Sequence, residues 1–263
     1  VSYGAQGNQS QSGIRPIHVH DEGDGWGNAE PYLWTVFFKV DGEGVAVTES
    51  LTLSGSPVLH NTPGSHGNLG TTDADEGDNI TIPAAIGEWQ TMLKPIPTPS
   101  SLSALVEDVS GVVGVLAVLM EEDNVSDAGA NAGHTALNNA VAAAIQQIVN
   151  TRTFTTPSVS EDEIDDFTND VQSAVKDAIV DQQNFFENLW SWLNPDDTIG
   201  VKVWLWQHDD LDPAVNQNFS HRWKSEGDWE IFGHITSAPL CPANALADIF
   251  RSKAAAAGGE SSA

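Results

Sequence analysis

The sequence predicts an α+β fold, an antiparallel β-sandwich carrying an inserted helical hairpin, and three observations carry that expectation. Short runs rich in β-branched and aromatic residues stand on both sides of residues 134–193. Within 134–193 the apolar positions recur at helical spacing instead. This helical stretch is one interruption and not a series of βα units, which argues against a parallel sheet.

Taken in order, residues 1–13 (VSYGAQGNQSQSG) are polar and predict a flexible N-terminal segment. A single domain is expected over 14–253, and residues 254–263 (AAAAGGESSA) read as a flexible tail. Ile14–His20 predicts a short strand and Tyr32–Val40 a longer one, turned at Asp41-Gly42 towards Val45–Leu53 as its hairpin partner. Residues 54–79 predict one long loop. Ile80–Ile82 and Glu88–Ile96 are further candidate strands, and Pro95, Pro97 and Pro99 stiffen the link that follows.

Val112–Met120 is apolar without interruption, the mark of a strand buried on both faces. In the hairpin, Leu137, Val141, Ile145 and Ile148 share one helix face; Ser160 and Glu163 match a capping box; and Ile164, Phe167, Val171 and Val175 begin a second stripe that Asn194-Pro195 stops. Residues 200–206 and 228–236 return to strand character, with a polar, turn-forming stretch between them.

Composition narrows the function. Thirty-seven Asp and Glu face ten Lys and Arg, a net charge of −27. Those few cations lie singly along the chain, which argues against nucleic acid as a partner, since affinity for a polyanion rests on clustered Lys and Arg. An anionic membrane would repel the chain unless calcium reversed the local field. The acidity is also that of proteins adapted to concentrated salt, so acidic count alone marks no site. Nine Trp and nine Phe supply the apolar area to fold. One cysteine, Cys241, excludes an intrachain disulfide framework. The polar start is no signal peptide and no apolar run nears a membrane span, so a soluble protein is expected.

Three strands run directly into carboxylates. Ile17–His20 leads to Asp21, Glu22 and Asp24; Val115–Met120 leads to Glu121, Glu122, Asp123 and Asp127; Val203–Gln207 leads to His208, Asp209, Asp210 and Asp212. If the strands leave one end of a sandwich, these acids gather, and their mutual repulsion calls for a hard cation. Calcium is expected, because it takes six to eight oxygens from irregular loops.

The stretch from Asp21 through Ala29-Glu30-Pro31-Tyr32-Leu33 resembles the first calcium loop of C2 domains, with Glu30 where that family has Asp. Val203–Asp212 looks like the strand leading into that family's other ligand loop. The resemblance implies a calcium-supported β-sandwich with Asp21, Asp24, Glu30, Asp209, Asp210 and Asp212 as ligand candidates; Asp123 joins them from the acidic strand ends. The chain is twice the length of a C2 domain, carries a helical insertion, and lacks that family's basic residues, so membrane docking is not carried over.

A second expectation starts from His18-x-His20, whose imidazoles share one strand face and suit zinc or manganese in a metal-dependent hydrolase, with His208-Asp209 as further ligands. Trp204 and Trp206, and Trp190 and Trp192, are expected to pack helix on sheet. The first expectation is a calcium-binding, non-enzymatic module whose acidic loops present a surface to a protein partner or to a second copy. A metal-independent subunit of a larger assembly is the third.

Overall fold

The computed structural model describes residues 8–23, 29–71, 73–101, 108–122, 126–154, 162–163, 165–171, 173–174, 177, 198–212, 214–224 and 226–239. In chain order the elements are β1 (Asn8–Asp21), β2 (Pro31–Val40), β3 (Val45–Val47), β4 (Leu53–Gly55), β5 (Val58–Asn61), β6 (Asn79–Ile80), α1 (Ala84–Gly87), β7 (Glu88–Leu93), β8 (Ile96–Pro97), β9 (Asp108–Val109), β10 (Val112–Glu121), α2 (Asp127–Thr151), β11 (Thr198–Gln207), a 3-10 turn at Asp209–Leu211, β12 (Val215–Trp223) and β13 (Asp228–Pro239). Residues 165–171 are helical as well. The fold is α+β, with antiparallel strands in several sheets.

β2 and β10 are the centre. They pair antiparallel from Val112↔Val40 to Glu121↔Pro31, and every residue of both is buried. β11 and β5 flank them, in the order β11-β10-β2-β5. Each central strand is apolar on both sides because each face meets a different partner. Tyr32, Trp34, Val36, Phe38, Leu116 and Val118 join α2 in one core cluster, to which Phe167 and Val171 also belong. Leu33, Phe37, Val113, Val115, Ala117 and Leu119 join Ile14, Ile17, Val19, Trp229, Ile231 and Ile235 in the other.

α2 forms because alanines dominate its sequence, Ser126 accepts the Gly129 N–H at 3.3 Å as its cap, and Leu137, Val141, Ile145 and Val149 fall on the buried face. Each of those four side chains contributes about 1.5–3 kcal/mol through burial.

The second sheet has the order β12-β13-β1-β6, with β7 also beside β1. β1 is longer than expected. Asn8–Gly13, read as a flexible end, is paired on both flanks, with β13 through Asn8↔Pro239 and with β7 through Asn8↔Leu93. Two neighbours satisfy its backbone, and the small Ser10 and Ser12 fit the interior. β3 pairs with β4 and not with β2, whose hairpin-side partner is β5. The polar stretch after residue 207 contains β12, which pairs with β13 over nine positions. Its Phe219 ring lies across Gly233, where an added Cβ would stand 2.2 Å from the ring, and packs against Trp204 at 4.9 Å and Trp206 at 5.1 Å. The second stripe of the hairpin beyond residue 177, with Trp190 and Trp192, lies outside the described residues, as do residues 1–7 and 240–263. No helix among the described residues is long and apolar enough to cross a membrane.

Candidate functional site

β10 separates the molecule into two poles. At its C-terminal end, the Glu122 N–H donates to the Glu30 carbonyl at 3.0 Å, so Glu30 and Glu122 share one pole. At its N-terminal end, the His208 N–H donates to the Gly111 carbonyl at 2.7 Å and the Asp209 N–H to Ser110 Oγ at 3.3 Å. At the rise of a strand these poles stand about 30 Å apart. The expected convergence of three acidic loops around one ion therefore does not form. β10 and β11 both run into carboxylates, but they are antiparallel neighbours, from Val112↔Gln207 to Met120↔Thr198, and so leave the sheet at opposite ends.

At the second pole the carboxylates hold the chain itself. Asp210 Oδ2 accepts the Gln207 N–H at 3.0 Å, closing the Asp209–Leu211 turn. Buried His208 bonds through Nδ1 to Asp209 Oδ1 at 3.2 Å, and this hydrogen bond lowers the Asp209 carboxyl below its ordinary value against the opposing effect of burial. Asp212 follows as the exposed C-cap of the turn.

The first pole is richer in acids than the sequence reading recognised. The Ala74 N–H donates to the Ala29 carbonyl at 3.0 Å, Val19 N–H to the Asp78 carbonyl at 3.0 Å, and Gly77 N–H to the Val19 carbonyl at 2.8 Å. These bonds tie the loop at residues 73–78 to both ends of the β1–β2 connection. Exposed Asp73, Asp75, Glu76 and Asp78 thereby join Asp21 and Glu30. Gly77 at φ +94° makes the turn, and Asp78 Oδ2 accepts the Asp75 N–H at 3.1 Å. The Asp-Ala-Asp-Glu-Gly-Asp spacing of residues 73–78 is the sequence signal for this acidic loop, within a stretch whose composition predicts only a loop. Asp21 Oδ1 accepts the Gly23 N–H at 3.0 Å, and Asp21 stands opposite Asp228 at the start of β13. Arg222 grips Asp228 through two hydrogen bonds and holds its carboxyl down to about 2. Asp24 and Asp123 lie outside the described residues. Among the described residues, no three His, Cys, Asp or Glu side chains stand ready-made to hold a metal ion.

The histidines are also divided. His18 and His20 lie on the outer face of β1, ring centroids 4.4 Å apart and edge to face. His18 Nδ1 is 3.1 Å from Asn79 Oδ1, and His20 Nε2 is 3.2 Å from Glu230 Oε2. His208 and Asp209, expected as further ligands for a zinc or manganese hydrolase, belong to the other pole, so the four do not form one centre.

Two further histidines, which no sequence motif marks, have buried side chains, His66 at the first pole and His134 against the middle of β2. His66 Nδ1 lies 3.1 Å from Glu122 and 3.7 Å from Asp127, with its ring 4.7 Å from that of Tyr32. His134, on α2, stacks on Trp34 at 5.6 Å and hydrogen-bonds through Nε2 to the Thr35 carbonyl at 3.3 Å. Burial pushes its imidazole below the ordinary value, with the Thr35 hydrogen bond opposing. The unfolded chain therefore takes up a proton near pH 6.5 that the folded one resists, so stability present above that pH is lost as pH falls below it. Urea midpoints measured from pH 8 down to pH 5 should decline, and His134→Gln should flatten part of that decline. An unchanged slope in the variant would remove His134 from the account. His221 and His234, lowered by their own partial burial, remain to produce the rest.

Trp206 is buried and Trp204 packs against the same core, a structural role, but their described ring partner is Phe219 of β12 and not the helix that was expected. No family model matches the chain, and no curated protein matches it significantly.

Proposed function

We propose that the chain is a non-enzymatic binding module, a β-sandwich whose first pole takes calcium and, with the ion in place, presents that pole to a protein partner or to a second copy of the chain. One observation carries this reading. Backbone hydrogen bonds from Val19, Ala74 and Gly77 fasten the 73–78 loop to the β1–β2 connection, so that Asp73, Asp75 and Asp78 are carried at the same pole as Asp21 and Glu30. Arg222 and Lys224 at the same pole are engaged with Asp228. Carboxylates gathered in this way repel one another, and a divalent ion with flexible coordination relieves the repulsion by drawing them inward.

In terms of the C2-like resemblance, the first piece, from Asp21 to Leu33, belongs to the proposed site. The second piece ends at the opposite pole and contributes no ligand. Because the ion is hard and ligated by oxygen, His18 and His20 take no part in it.

Calorimetric titration of dialysed protein with calcium, at low and high salt, tests the reading. Heat uptake and a raised melting temperature are expected; at a hundredfold excess of free ion over the Kd the stabilisation amounts to about 2.7 kcal/mol. Asp75→Asn with Asp78→Asn should abolish both effects, whereas Asp209→Asn with Asp210→Asn should leave calcium uptake intact. Absence of heat together with an unmoved melting temperature sinks the proposal, and zinc or manganese found by elemental analysis would favour the histidine face instead.

A further inference from the structure

Four asparagines of the chain stand in the tripeptide Asn-x-Ser/Thr with x other than Pro, namely Asn8, Asn79, Asn124 and Asn218. The tripeptide is an acceptor for N-linked glycan only where the amide and the hydroxyl two residues on can both be reached. In an extended strand, positions i and i+2 share a face, so the amide and the hydroxyl can be presented together. Asn79 with Thr81 and Asn218 with Ser220 meet the requirement, all four residues being exposed. The hydroxyl that belongs to Asn8 is that of Ser10, which is 2% exposed. Asn124 lies outside the described residues.

Placement in the sheet adds a second observation. Asn79 is on β6 and Asn218 on β12, the two ends of the strand order β12-β13-β1-β6. Asn79 stands opposite His18 and Asn218 opposite His234. His18 alternates with buried Ile17 and Val19, and His234 with buried Gly233 and Ile235, so both asparagines face away from the core. The two acceptors thus flank one face of one sheet, each on an outermost strand. β12 is the longer of these strands, and it carries no proline and no acidic residue along its nine positions. An edge of that kind invites pairing with other chains unless something guards it.

We propose that Asn79 and Asn218 are N-glycan acceptors, and that the glycans fence the two edges of this sheet. In the modification, Nδ2 of each asparagine bonds to C1 of a saccharide carried on a polyprenyl phosphate or diphosphate. The bond from C1 to the lipid phosphate oxygen breaks, the phosphate leaves with the electron pair, and the amide proton passes to the transferase. The reaction requires export to the compartment of that transferase. It does not depend on calcium at the acidic pole.

The test is expression of the full chain behind an export signal in a glycosylating secretory host, followed by treatment with a deglycosylating amidase in heavy-oxygen water and peptide mapping by mass spectrometry. Labelled Asp is expected at positions 79 and 218. Asn218→Gln and Ser220→Ala should each remove one glycan, while Ser220→Thr should keep it. Thr81→Ala should remove the glycan of Asn79 without altering the Asn79 side chain that meets His18. An unmodified asparagine at either position in the exported protein, or glycan confined to Asn8 and Asn124, overturns the proposal.

Discussion

Lys39→Met should lower the unfolding free energy by about 3–5 kcal/mol, the range expected when one partner of a buried ion pair is removed. Lys39 is 1% exposed on β2, a strand otherwise apolar apart from Thr35 and the polar hydroxyl and indole groups of its aromatics. Its ammonium donates to Asp41 Oδ2 at 3.1 Å, to the Met92 carbonyl at 2.6 Å and to Glu43 Oε2, which uses all three of its protons. The hydrogen bond from Lys39 holds the Glu43 carboxyl below its ordinary value. Asp41 is buried as well and accepts the Glu43 N–H at 3.2 Å and the Lys94 N–H at 3.0 Å. This cluster joins the turn after β2 to the strand β7 of the other sheet. A methionine fills the volume of the stem but strands the Asp41 charge in the interior. Denaturant titration measures the loss, and Asp41→Asn added to Lys39→Met should recover part of it, a coupling that a double-mutant cycle isolates. A Lys39→Met protein as stable as its parent would show that the ion pair contributes no net stability.

Trp34→Ala should have a comparable effect, a loss of about 3–5 kcal/mol. Trp34 is 1% exposed, its indole N–H donates to the Gly64 carbonyl at 2.8 Å, and its ring lies against that of His134. One side chain thus joins β2, the 62–70 loop and α2. Gly64 must be glycine here, since an added Cβ would come within 2.2 Å of the His134 ring. Removing the indole leaves a cavity and an unpaired carbonyl together. Hydrogen exchange should then quicken in α2 and in the 62–70 loop before it quickens in β1 and β13. Uniform quickening across both sheets would mean that Trp34 does not serve as this joint.

Much of the architecture was legible because its signals are local. The continuous apolar run at Val112–Met120 predicts burial on both faces, and β10 is buried throughout. The stripe of Leu137, Val141 and Ile145 predicts a helix against a core, and α2 provides it, although it begins at Asp127, ahead of the expected 134. β12 carries little apolar pattern because it is an edge strand with one flank in solvent, so only Val215, Phe219 and Trp223 mark its inward side. The short pair β3 and β4 replaced the expected hairpin on β2, whose neighbouring position is taken by β5.

The candidate site was legible by residue type and not by place. That acids follow strand ends is written in the order of residues, as are the charge of −27, the helix stripe and the twice-buried strand, since each depends only on near neighbours in the chain. Which strand ends meet depends on pairing, and a strand's own pattern does not name its partner or its direction. Antiparallel pairing of β10 with β11 sends Asp209 and Asp210 away from Glu30. Backbone bonds at Val19, Ala29, Ala74, Gly77 and Asp78, which are indifferent to side-chain identity, bring in Asp73, Asp75 and Asp78 instead. Composition and periodicity thus determined what the chain is built from, and the register of its sheets decided which of its charges share a pole.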